Sequence, residues 1–287
     1  MRYLSYSLLC NLGFCPEPVL ANSPVYDKSK YSLFCPVPDK MLKEMATDRP
    51  DKTESPFTID AGHYQLEFDM ATYTYDTNKH NNTRTHSYTI FAPNLRVGLT
   101  SNLEVDLIAT AFNSIKTKDT FTAETTRNQG IDDTLIRFSY NFWGNEGEST
   151  TAFGIIPYVK IPTNQDHLGN KSYDGGILLP FNIKFTETLG LGLMTEVDYM
   201  RGNNVHKHVF KFANMGSLSW DFSETFGTFF EIYTERSTEQ DSRWIATFDT
   251  GLIITFTENW QMDMGVYFGL TPEADDVTPF IGMSIRF

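Results

Sequence analysis

The chain has 287 residues, with 23 Lys and Arg against 36 Asp and Glu, for a net charge of −13. So acidic a chain is a poor generic binder of nucleic acid, whose phosphates must be met by Lys and Arg. Mean hydropathy is −0.31, which with the absence of any apolar run near ~18 residues excludes a bundle of transmembrane helices, while 23 Phe and 14 Tyr argue against disorder. A transmembrane β-barrel survives these exclusions, because alternation hides its hydrophobicity from an average.

Met1–Ala21 carries one early base, Arg2, then an apolar stretch from Tyr3 to Phe14 and small residues near Ala21. It reads as a secretory signal peptide, the competing reading being a buried first strand or helix. Asn11 interrupts its core and Glu17 lies near the cut. Removal of residues 1–21 would take Cys10 and Cys15, leave Cys35 alone, and so preclude an intramolecular disulfide. A lipid-anchored Cys15 is disfavoured, because Phe14 stands where a small residue is wanted.

Residues 22–56 form a short Pro-rich extension, with Pro24, Pro36, Pro38, Pro50 and Pro56 among many charges. Pro38–Ala46 can make one or two helical turns with Asp39 near the start. The extension is expected either to plug the barrel lumen or to hang in the periplasm as a tether. The docked form gives Tyr31, Leu33 and Phe34 somewhere to bury.

From His63 the period becomes two. Tyr64, Leu66, Phe68 and Met70 alternate with His63, Gln65, Glu67 and Asp69; Leu103, Val105 and Leu107 alternate with Glu104 and Asp106; Ile136, Phe138, Tyr140 and Phe142 alternate with Arg137, Ser139 and Asn141. Successive strand side chains point to opposite faces, so each segment has an apolar and a polar side. About twelve segments follow this rule: 63–76, 85–99, 103–116, 131–143, 150–162, 174–186, 190–201, 206–220, 225–236, 242–256, 260–269 and 278–287. Most have about the 9–11 residues a tilted strand needs to cross a bilayer.

The connections alternate in length. Thr100–Asn102, Gly144–Gly147, 187–189, Ser223–Glu224 and Thr257–Asn259 are short; 77–84, 117–130, 163–173, 202–205, 237–241 and 270–277 are longer and polar. Tight periplasmic turns and longer outer loops give this pattern in an outer-membrane barrel, and a soluble sandwich has no reason to keep it. The fold expected for 57–287 is therefore all-β, an antiparallel transmembrane β-barrel of about twelve strands with a polar lumen. The last strand alternates to the final residue, and Met283, Ile285 and Phe287 are the expected assembly signal for the barrel-assembly machinery.

A barrel of this size is too wide for an apolar core, and a Lys or Arg in lipid costs about 2–4 kcal/mol at the midplane. The charged face must therefore line the lumen. Its candidate selectivity residues are Glu67, Asp69, Arg96, Glu104, Asp106, Arg137, Lys160, Lys184, Glu196, Asp198 and Arg286. The acids fall in i, i+2 pairs that repel unless bases or water screen them. Such residues either tune solute selectivity or form a salt-bridge network in a closed barrel. Tyr73, Tyr75, Trp143, Tyr199, Trp220, Tyr233, Trp244 and Trp260 would supply the girdles facing outer-membrane lipid.

No Gly-x-Ser-x-Gly, phosphate loop or His-Glu-x-x-His is present. His206 and His208 share a strand face, and read better as a solvated pair than as metal ligands. No cofactor, metal or catalytic set is expected.

Several stretches are family-like: TDRPDKTESPFTIDAGHYQLE from Thr47 to Glu67, NFWGN at 141–145, PYVKIPT at 157–163, GLGLMTEVD at 190–198 and GLTPEADDVTPFIGMSIRF at 269–287. Over roughly residues 30–287 the chain resembles the meta-pathway phenol-degradation (MetA) family of transporter-like outer-membrane proteins. The resemblance implies a porin-like channel or transporter for passive uptake of small organic, including aromatic, solutes. The alternatives are a closed structural barrel without transport and, third, a barrel enzyme.

Overall fold

The computed structural model describes residues 27–78, 80–147, 149–202 and 207–287. The proposed signal peptide and His206 lie outside the described residues. The described strands are β1 (Tyr64–Asn78), β2 (Thr83–Gly98), β3 (Leu103–Ile108), β4 (Phe112–Asp119), β5 (Thr125–Gly130), β6 (Thr134–Trp143) and β7 (Thr151–Ile161). They continue with β8 (Asp174–Lys184), β9 (Leu189–Arg201), β10 (His208–Asp221), β11 (Phe226–Ser237), β12 (Ile245–Thr257), β13 (Trp260–Gly269) and β14 (Val277–Arg286).

All pairings are antiparallel between neighbours, and β1 pairs with both β2 and β14, so the sheet closes. β3 and β4 both pair with β2, one with each half, and together make a single strand of the wall. β5 and β6 make another in the same way, giving a closed twelve-strand barrel. The interruption at Ala109–Ala111 lies opposite Phe91 and Pro93. Ala109 and Ala111 donate there to the Pro93 and Phe91 carbonyls, and Pro93 has no N–H to return.

The alternation holds as expected. Phe138 and Phe142 are about half exposed on the outside, whereas Asn141 between them is fully buried on the inside. Two details differ from the sequence reading. The stretch 117–130 is largely strand and 77–84 is strand at both ends: β1 with β2, and β4 with β5, continue as polar hairpins past the apolar band. Their Thr-rich sequences favour strands but carry no apolar alternation to signal one. Tyr233 does not belong to a girdle. It follows Glu231 by two residues, shares its inward face, and packs beside the buried cluster Ile156, Leu178, Met194, Ala213 and Met215.

The extension is compact at its start. Tyr31, Cys35, Val37 and Met41 pack with Ala61 in a small core beside the short-turn end, while Phe34 stays exposed. The expected helix is a single 3-10 turn at Asp39–Met41. Pro38 caps it without a side-chain bond, so little holds a longer helix. In the full-length chain Cys35 is disulfide-bonded; the lone thiol is expected only once residues 1–21 are removed, and Cys10 and Cys15 lie outside the described residues. β1 begins only at Tyr64, and residues 57–61 run with the extension, whereas Gly62 donates to the Gly98 carbonyl of β2 and His63 accepts from the Gly98 amide.

At the other terminus, Phe287 and Tyr64 exchange backbone hydrogen bonds, and β14 registers Ile285 against Leu66 and Met283 against Phe68. Those are outward residues. The C-terminal strand thus closes the barrel and turns Met283 and Ile285 outward.

Candidate functional site

Seen from the wall, the inward residues from the short turns up to mid-wall are strongly acidic: Glu67, Asp69, Glu104, Asp106, Glu231, Asp249 and Asp263, against Arg96 and Arg137. All of these but Asp69 and Arg137 are buried. Buried charges persist only when paired and hydrogen-bonded. Much of the pairing comes from residues 46–60, which cross the inside of the barrel.

Arg96 is the hinge of one cluster. Its guanidinium bridges Glu67 at 2.8 Å and Glu104 at 2.7 Å, and donates to the Phe57 carbonyl at 2.8 Å. The acid repulsion expected from sequence is resolved here by a base on the intervening strand. The remaining oxygens of these glutamates accept backbone N–H groups of the segment. Glu67 takes those of Asp48 and Arg49 at 3.0 and 3.2 Å, and Glu104 takes that of Ile59 at 2.7 Å. Glu231 does the same across the lumen, accepting from the Lys52 and Thr53 amides at 2.9 and 2.8 Å.

The segment's own charges complete the set. Arg49 pairs with Asp263 at 2.7 Å and Asp69 at 2.9 Å. Gly282 makes room for it, since a Cβ there would lie 2.0 Å from Arg49 Nη2. Lys52 pairs with Asp249 at 3.0 Å. Glu54 pairs with Arg137, and Asp106 accepts from Ser139 at 3.0 Å.

Titration of the segment follows from this burial. Burial pushes the Asp51 carboxyl up to about 7, with the Glu54 and Asp249 carboxylates adding to the rise. Asp48 is also raised by burial, against the pull of Arg96. Burial pushes Lys43 down to about 8. Asp60 is held below its usual value by Lys43 and Lys28, burial notwithstanding.

The other predicted residues lie apart. Toward the long loops, Lys160 pairs with Asp133 at 2.6 Å and Asp174 at 3.0 Å, and Lys211 bridges Asp198 and Glu235 at 3.2 and 3.3 Å. Glu196 sits beside Asp198 on the same face of β9. Lys184 is at the short-turn rim, where it pairs with exposed Glu187. Arg286 donates to Asn259 and to the Lys43 carbonyl, not to an acid. His208 pairs with Asp174 at 3.3 Å and stacks on Tyr199. Among the described residues no cluster of His, Cys, Asp and Glu could hold a metal.

Sequence reasoning missed Arg49, Lys52, Tyr158 and Tyr267. Tyr158 donates to Asp198 at 2.6 Å and Tyr267 to the Pro50 carbonyl at 2.9 Å. Tyr158 stands two residues from inward Lys160, and Tyr267 four residues from inward Asp263, so both share the inward parity. Parity alone could have found them.

A closed antiparallel barrel with an apolar outside and a charged inside is an outer-membrane β-barrel, and this protein is one of the bacterial outer membrane. The chain belongs to the family described as "Putative MetA-pathway of phenol degradation", whose model matches residues 47–287. Its fold is similar to that of the COG4313 outer membrane channel from Pseudomonas putida F1, with a TM-score of 0.63 at 12% identity, covering 84% of this chain and 100% of that one. It is also similar to the transport unit of the autotransporter AIDA-I from Escherichia coli, with a TM-score of 0.52, 10% identity, and 85% and 93% coverage. The NanC porin gives 0.51 at 8% identity, with 77% and 100% coverage. No curated protein matches the chain in sequence.

Proposed function

We propose that the protein is a channel for passive uptake of small organic solutes, aromatic ones included, and that residues 22–56 with the following 57–60 act as its plug. The observation that carries this reading is a cavity of about 2180 Å³ entering from the short-turn end, between the wall and the segment, as far as Thr53, Ser217 and Phe229. A wall of twelve strands encloses more space than its own side chains fill. Here the segment occupies part of that space and the cavity the rest. The family's link to phenol degradation supports organic solutes, and the likeness in fold to the Pseudomonas putida outer membrane channel supports a channel. With the segment displaced, the surplus of wall acids would favour cations and neutral solutes over anions; Glu104 and Asp106 are the acids to test.

A second reading, a closed barrel without transport, is favoured by the density of bonds that Arg49 and Arg96 make to the segment. Swelling of proteoliposomes in arabinose and in phenyl glucoside, neither of which crosses lipid, separates the two. A channel admits both faster than empty liposomes do, and Arg49→Ala/Lys52→Ala admits them several-fold faster still. Rates equal to empty liposomes for both proteins would establish the closed barrel.

A further inference from the structure

The Lys52 ammonium stands 4.4 Å from the centre of the Tyr267 ring and 4.6 Å from that of Tyr233. It donates to Thr247 Oγ1 at 2.8 Å and pairs with Asp249 Oδ2 at 3.0 Å. Aromatic faces and a carboxylate gathered around one ammonium are the elements by which proteins recognise organic cations. All four groups belong to the wall. Tyr233 of β11 lies directly opposite Thr247 of β12, and Asp249 of β12 lies directly opposite Tyr267 of β13. Two cross-strand pairs on three adjacent strands form a platform set by the register of the wall.

The platform also has acceptor capacity that Lys52 leaves unused. Asp249 is fully buried, its Oδ2 is shared by Lys52 and Thr247, and its Oδ1 has no hydrogen-bond partner. A buried carboxylate with a free oxygen calls for a donor-rich cation. Lys52 itself is the less committed party. Its side chain keeps 28% of its exposure, and its backbone amide is already held by Glu231.

We propose that Tyr233, Tyr267, Thr247 and Asp249 form an ammonium site in the lumen, occupied at rest by the chain's own Lys52, and that small primary organic ammonium ions take it when Lys52 withdraws. In this arrangement the segment is a tethered pseudo-ligand. A solute amine and the plug compete for one position, so amine binding and plug release are linked. The proposal deepens the channel reading and rests on it only for the entry of solute; the site itself stands on the wall residues.

The test is calorimetric titration of the full chain in detergent with n-propylammonium, which replaces what Lys52→Ala removes beyond Cβ. Lys52→Ala should bind it with a Kd about tenfold or more below that of wild type, and should not bind n-propanol comparably. Lys52→Ala/Tyr267→Phe, which keeps the ring, should retain the binding, and Lys52→Ala/Tyr267→Leu should lose about tenfold. Heat-modifiable gel mobility reports the folded barrel, and Lys52→Ser serves the same titration if the alanine variant does not refold. Equal affinity of wild type and variant, or propanol binding as well as propylammonium, would overturn the site. Because the readout is binding, a failed titration with swelling intact removes this site alone. Binding without swelling removes the channel reading instead.

Discussion

The lumen has two halves that neutralise their charge differently. From the short turns up to the middle of the wall, Glu67, Glu104, Glu231, Asp249 and Asp263 meet groups that come from residues 46–60. Near the long loops, the pairs stay within the wall and its loops: Lys160 with Asp133 and Asp174, Lys211 with Asp198 and Glu235. The first half is incomplete as a barrel, and its acids are buried only because the segment is there. The second half needs no segment. Breaking a contact in the first should therefore move the segment, whereas the same chemistry in the second should stay local.

The largest effect is expected from Arg49→Ala. It leaves fully buried Asp263 without its partner, and breaking such a pair costs about 3–5 kcal/mol. Trypsin should then cut at Lys52 in a barrel that still shows folded mobility, where wild type resists. Gly282→Ala should act in the same direction, since its Cβ would meet the guanidinium.

A smaller loss is expected from Glu231→Gln. The amide keeps one acceptor for the Lys52 and Thr53 N–H groups but loses the charge, a change of about 1–3 kcal/mol. Hydrogen exchange at residues 51–54 should rise, with little change at Ile59, which Glu104 holds independently.

Acidity should sharpen the contrast next. Asp51 has its carboxyl raised from 3.8 to about 7 when docked, so the docked state holds a proton that the released segment gives up. The Asp51 contribution is then full at about pH 4 and weakens as pH rises to about 7; Asp48 shifts in the same direction, and Asp60, held low when docked, opposes them only below about pH 4. Lys43, lowered to about 8, opposes this only above that window. Exchange protection of residues 48–59, corrected for intrinsic rate, should fall from pH 4 to pH 7, and Asp51→Asn should flatten the slope.

The smallest effects belong to the long-loop half and the rim. Lys211→Met should leave trypsin resistance at Lys52 unchanged while loosening Glu235 and Asp198. Lys184→Ala should do nothing measurable, because its partner Glu187 is exposed and surface pairs are worth little.

The same contrast explains what the sequence reveals. Alternation located the strands of the wall and the lumenal face, because parity is local: Glu104 and Asp106 each reveal the face of their neighbours. It failed where parity was overridden by residue type, as at Tyr233, assigned to a girdle although Glu231 two residues earlier already faced inward. It missed the outer part of the hairpin, residues 117–130, which has no apolar face to alternate. The docking of the segment was visible only as an option. Arg49 meets Asp263 across 214 positions, and no local pattern in either stretch names the other. Mixed charge in 31–56 suggested a charged host; which acid takes which base is set by the closure of the barrel.

Single-channel recording in planar bilayers tests the central claim most directly, by comparing wild type with Arg49→Ala/Lys52→Ala at equal amounts of folded barrel. If the segment closes the short-turn half, the double variant shows clearly larger and longer conductance steps than wild type, with cations favoured. Identical conductance in the two proteins would contradict the account.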